Sequence, residues 1–153
     1  SSINKTAGSL MIEGGRWNDQ DVPAVYMGLT PAICCLETFV HADGEPTFPM
    51  KITCFELPSD QSLFLEVDPA TLPDGWASLP ADRPSMDFGT AWLKANTHLG
   101  LIVPSAVLAL ERNVVINPHH PALSLIKIVE VYDFIYDSRM FGKSADVQGN
   151  PGT

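Results

Sequence analysis

The chain has 153 residues, 45% hydrophobic and 18% charged, with a formal net charge of −9. That length suits one domain able to bury about two-thirds of its unfolded surface. Nine basic residues, nowhere concentrated, argue against non-specific nucleic-acid binding, which needs clustered Lys and Arg against phosphates. The acidity would suit a basic partner, although solubility alone accounts for it. No apolar run approaches the roughly 18 residues of a membrane span, and the polar first ten residues carry no signal-peptide core. Cys34, Cys35 and Cys54 are odd in number and lack CxxC spacing, which reads as three reduced thiols in a cytoplasmic protein.

In chain order, residues 1–13 are polar, contain Gly8 and read as loop. Gly14-Gly15-Arg16-Trp17-Asn18 follows, then a turn over 18–21 and a β-rich run over 22–27. Thr30-Pro31 is a helix start, with Thr as N-cap and Pro at the first helical position. That helix is predicted to run to about residue 42, with an apolar stripe of Ile33, Leu36 and Val40. Residues 50–57 and 62–67 read as strands. Residues 68–85 are a loop rich in Pro and Asp, anchored by Trp76. A second helix is predicted from 84 to about 98, carrying Phe88, Trp92 and Leu93. Strands follow over 99–103, ending at Pro104-Ser105, and over 113–116, closed by Asn117-Pro118. Residues 125–136 form a late strand, and 143–153 a disordered tail. Short strands broken by two helices, with no repeat, GxGxxG or P-loop, give an α+β class.

Four positions carry candidate chemistry. Arg16 follows two glycines, which allow a tight turn or close ligand approach, and its planar fork suits phosphate oxygens. A turn arginine paired with a carboxylate fits the local pattern as well. Tyr26 ends a strand and either stacks on a planar ring or packs with its hydroxyl wet. Glu37 borders the apolar stripe of the first helix. There a carboxylate is partly desolvated yet reachable, able to stabilise a cationic transition state or hold a hydroxyl; a solvated residue beside His41 is the plainer reading. Ser105, at a strand end without a GxSxG elbow, is no hydrolase nucleophile; it either bonds a ligand amide or caps a turn. Asn113, Asn117, His119 and His120 cluster nearby, as turn residues or with one ligand-facing histidine. Adjacent histidines without HExxH or a cysteine pair are a weak metal signal.

The order of these motifs resembles the RES-domain family. The series is Gly-Gly-Arg-Trp-Asn, Pro-Ala-Val-Tyr, Leu-Glu-Thr-Phe-Val-His, Leu-Pro-Asp-Gly-Trp, Val-Pro-Ser-Ala and Asn-x-x-x-Asn-Pro-x-His-Pro, over roughly residues 8–140. Family members are toxins of RES–Xre toxin–antitoxin modules. The resemblance implies an ADP-ribosyltransferase-like fold with a split, mostly antiparallel sheet, and NAD+ as substrate with no metal. It implies cleavage of the nicotinamide–ribose bond by hydrolysis or phosphorolysis, with protein ADP-ribosylation as the alternative. By position, Arg16 and Glu37 become catalytic, and Arg16, Tyr26, Ser105 and His120 become substrate contacts. An Xre-type antitoxin is the implied partner, and self-association stays open. The family's upstream arginine, on a first strand before a glycine-containing loop, has no counterpart here, because residues 1–8 read as that loop. The domain is expected over 1–142, either short of its native first strand or divergent from the family there. The missing arginine also motivates a third reading, an inactive module that binds NAD+ or an antitoxin.

Overall fold

The computed structural model describes residues 5–11, 15–41 and 49–141, with only the backbone path for 5–11. Seven strands form one sheet: β1 (Lys5–Met11), β2 (Ala24–Gly28), β3 (Met50–Glu56), β4 (Phe64–Glu66), β5 (Gly100–Pro104), β6 (Arg112–Ile116) and β7 (Lys127–Phe134). Their order is β4-β5-β6-β2-β1-β3-β7. Every pairing is antiparallel except β4 with β5. With two helices, α1 (Pro31–His41) and α2 (Arg83–Ala95), the α+β class holds. The halves expected of a split sheet are joined through β2, β1 and β3.

Residues 5–11 are not loop. They pair with β2 on one side and β3 on the other, which makes this segment a central strand. Its weakly apolar pattern gives no local strand signal; pairing on both edges imposes the conformation. The predicted tail and Gly14 lie outside the described residues.

Helix α1 starts as its sequence directs, with Thr30 Oγ1 accepting from the Ile33 N–H at 3.2 Å. Its burial departs from the predicted stripe. Ile33 is buried, but Val40 is 53% exposed, and the inward side of the next turn belongs to Glu37. Gly28 permits this: a Cβ there would lie 2.8 Å from both the Cys34 nitrogen and the Ile33 side chain. The N-terminal half of the helix therefore lies directly on the strand. Helix α2 is capped by Asp82 at its start and by Asn96, in the left-handed region at φ 53°, at its end.

Alternation along the strands sorts the core into two layers. Ala24, Leu101, Val103 and Val115 face Trp17, Trp92 and Leu93 on one side. Met27, Val114 and Ile116 form the layer on the other, joined by Leu99 from just before β5. The first face carries the polar residues of interest. Gly28 and Val103 both pair with Asn113, which sets those three in one row across β2, β6 and β5. At the far edge, β7 pairs only with β3 and is exposed along nearly its whole length.

Candidate active site

Arg16 sits in a tight turn closed by Gly15 and Asn18, whose backbones hydrogen-bond each other. The fully buried Asn18 amide fixes this turn. Its Oδ1 accepts from the Gly15 N–H at 2.8 Å and from the Tyr26 hydroxyl, and its Nδ2 donates to the Val22 carbonyl at 2.8 Å. The Tyr26 oxygen in turn accepts from the Trp17 N–H at 3.0 Å. The hydroxyl expected to be wet is thus committed to the turn, and the ring packs against the core. Burial pushes the Tyr26 ionisation above the ordinary tyrosine range, so it stays a neutral donor.

Helix α2 holds the same turn from the other side. Thr90 Oγ1 accepts from the Asp19 N–H at 2.9 Å, and Arg83 pairs with the Asp19 carboxylate. Gly89 is required here, because a Cβ would stand 1.9 Å from the Trp17 carbonyl oxygen. Trp17 stacks on Trp76 with ring centroids 6.0 Å apart, which draws the 69–79 loop across the face. Arg16 ties that loop down: its Nη1 donates to the carbonyls of Trp76 and Ser78, each at 2.9 Å. Its Nε and Nη2 have no partner among the described residues. Burial draws the guanidinium below its ordinary value, while Glu37 and Tyr26 pull it back up. Arg16 and Glu37 therefore share one electrostatic environment.

Glu37 is the centre of the arrangement. Its Oε1 accepts from Ser105 Oγ at 2.6 Å and from Asn113 Nδ2 at 2.8 Å. Its Oε2 lies 3.7 Å from His41 Nε2, too long for a hydrogen bond. The side chain is 23% exposed, enough for a ligand to reach. Ser105 is buried and saturated. Its oxygen accepts from the Val107 and Leu108 N–H groups at 3.0 and 3.1 Å, which occupies both lone pairs and leaves its proton for Glu37. The expected ligand-binding hydroxyl is here a support for the carboxylate. Cys34 and Cys35 share α1 with Glu37, but burial pushes both thiols up, so neither is poised as a thiolate nucleophile.

The structure thus gathers Arg16, Tyr26, Glu37 and Ser105 over one face of β2, β6 and β5. It sets His120 elsewhere. Ser105 follows the end of β5 that pairs with Arg112, whereas Asn117 and His120 follow the opposite end of β6. There His120 Nδ1 accepts from the Ala122 N–H at 3.1 Å as the cap of a short 3-10 turn. Two site residues went unassigned from sequence. Asn18 closed the Gly-Gly-Arg-Trp-Asn motif and had turn propensity, but neither gave it a role in the site. Asn113 stood in a recognised motif, but nothing local tied it to a helix far away in the chain.

Residues 5–137 match the RES domain. Among similar proteins, the "Prs ADP-ribosylating toxin" of Sphingobium sp. (strain YBL2) is 38% identical over 135 residues, covering 87% of this chain and 84% of that protein. A "Toxin Res" from Yersinia enterocolitica is 33% identical, covering 83% and 84%. Another "Toxin Res", from Pseudomonas putida, is 35% identical, covering 83% and 86%.

Proposed function

The chain belongs to the RES domain family, and on that premise we propose that it is an NAD+-consuming toxin of the cytoplasm that cleaves the nicotinamide–ribose bond. The observation that carries this reading is the Glu37 carboxylate. One oxygen is held by two donors, the other accepts no hydrogen bond and has His41 Nε2 3.7 Å away, the side chain is partly exposed, and the Arg16 guanidinium feels its charge.

Loss of nicotinamide breaks the bond between ribose C1′ and the ring nitrogen, and the electron pair leaves with the ring. Positive charge develops on the ribose as an oxocarbenium-like centre. A fixed carboxylate beside it favours that transition state over the ground state. Water then adds to C1′ and loses a proton; phosphate would add in the same way. The open edge of Arg16 is suited to the pyrophosphate. The Tyr26 ring remains the candidate surface for nicotinamide, since its hydroxyl is spent on the turn. The scheme draws on no metal. Among the described residues no helix is long and apolar enough to cross a membrane.

One observation favours a second reading. A relative 38% identical is named for ADP-ribosylation, and the same cleft would serve transfer of ADP-ribose to a protein side chain. As a toxin the protein would have an antitoxin partner, of Xre type on the family resemblance, which shields Arg16 and Glu37. The test is release of free nicotinamide from NAD+, with and without phosphate, by wild type and Glu37→Gln. Release by purified wild type alone, with free ADP-ribose or its phosphate as co-product, that the variant loses supports the proposal. Release only when an acceptor protein is added, with label from the ADP-ribose part of NAD+ appearing on that protein, replaces it with the transfer reading.

A further inference from the structure

Of the two donors on Glu37 Oε1, Asn113 has no part in the scheme above. We propose that Asn113 is a positioning residue: it captures Glu37 Oε1 and so presents Oε2 as the working oxygen of the cleft. The inference rests on the NAD+ reading for what that oxygen does, but not for the contact itself.

A carboxylate oxygen can only accept, so the Asn113 amide must turn its NH2 end toward Glu37. Its register then fixes where that donor stands. Asn113 pairs with Gly28 on β2 and with Val103 on β5, beneath the point where α1 rests on the sheet. Ile33 anchors the helix at that point, and Glu37 follows one turn later on the same side. Ser105 approaches the same oxygen from the end of β5, with its hydroxyl locked by two backbone N–H groups. Two donors on one oxygen hold a carboxylate against rotation about its last torsion, which is otherwise broad. With Ser105 alone, the carboxylate would pivot about one bond. Asn113 removes that freedom, and Oε2 keeps a single direction, on the side where His41 Nε2 stands 3.7 Å away. A fixed oxygen needs no reorganisation as charge develops on the substrate.

Asn113→Asp tests this, because it keeps the shape and replaces the donor by an acceptor. In the wild-type background it sets two carboxylates against each other; in a Glu37→Gln background the glutamine amide can donate to the new aspartate. Chemical denaturation of the single and double variants should therefore show Asn113→Asp clearly destabilising in the wild-type background and near neutral in the Glu37→Gln background. Equal destabilisation in both backgrounds overturns the contact. Kinetics on NAD+ read the role. Asn113→Asp should lower kcat on the order of 100-fold, the loss expected from misplacing a reacting group by an ångström, with KM within twofold. A raised KM at unchanged kcat makes Asn113 a substrate contact and overturns the proposal. Asn113→Ala, which adds no charge, serves for kinetics if the aspartate variant fails to fold. If wild type itself releases no nicotinamide, the NAD+ reading fails, and the denaturation cycle alone decides the contact.

Discussion

Asn113 and Asn117 lie four residues apart, one near the start of β6 and one just past its end, yet they belong to different kinds of structure. Asn117 is buried and fully used. Its Nδ2 donates to the Leu93 carbonyl and to Asn96 Oδ1, both at 2.9 Å, and its Oδ1 accepts from the His119 N–H at 3.1 Å. It satisfies a carbonyl that the last turn of α2 leaves without a helical partner. Asn113 is half-buried, donates once to a carboxylate, and keeps its Oδ1 without a partner among the described residues. A polar group whose valences all close within the protein is architecture. One that leaves capacity beside a reachable carboxylate is available for chemistry. His120 stands at the closed end, Arg16 and Glu37 at the open one.

That contrast can be broken by substitution. The largest effect belongs to the open end: Glu37→Gln should cut nicotinamide release by about 100- to 1000-fold while leaving the unfolding temperature nearly unchanged. Equal turnover by the variant would remove Glu37 from the chemistry. Asn117→Ala should behave oppositely. It strands a buried carbonyl and a buried N–H, costing about 2–3 kcal/mol, with turnover per folded molecule preserved. Loss of kcat at temperatures where the variant stays folded would erase the distinction between the two ends.

Tyr26→Phe sharpens the comparison because it removes a hydroxyl that is closed, although it lies at the open end. Loss of its bonds to Trp17 and Asn18 should cost about 1–2 kcal/mol, and KM should rise more than kcat falls as the Arg16 turn loosens. Its ionisation gives a pH signature. Burial raises the folded-state value, so the stability contribution is complete below the ordinary tyrosine value of about 10 and is lost as pH climbs above it. Wild type should therefore lose stability faster than Tyr26→Phe between about pH 9.5 and 11, measured by urea unfolding. His120→Ala is the smallest change, at most about 1 kcal/mol for a lost cap, with KM for NAD+ unchanged. A raised KM would return His120 to the substrate contacts.

Local chemistry made parts of this legible in the sequence. Thr30-Pro31 specifies the start of α1 because a cap and a fixed φ act within one turn. The run from Gly100 to Pro104 reads as strand because it is apolar and bounded by turn residues. The N-terminal strand was not legible, since residues 5–11 lack a strong pattern and owe their conformation to two neighbours distant in sequence. Neither was the exposure of Val40, because helical periodicity gives a stripe but not which end of it the sheet receives. The members Arg16, Glu37 and Ser105 were visible only as motif residues whose local surroundings allowed duller readings.

What the sequence determined by itself is the inventory: an α+β domain, a glycine-flanked arginine, a carboxylate at the edge of a helical stripe and a serine at a strand end. Those follow from forces that act over a few residues, namely backbone sterics, capping and alternation. Only the tertiary structure decided what each does. It spent the tyrosine hydroxyl on a turn, tied one edge of the arginine to a loop, turned the serine into a support, set His120 at the far end and brought Asn113 to Glu37. The arginine, serine and asparagine outcomes depend on which donor meets which acceptor across 60 or more residues of chain, and such pairings are fixed by sheet register and helix docking, to which no local pattern is sensitive.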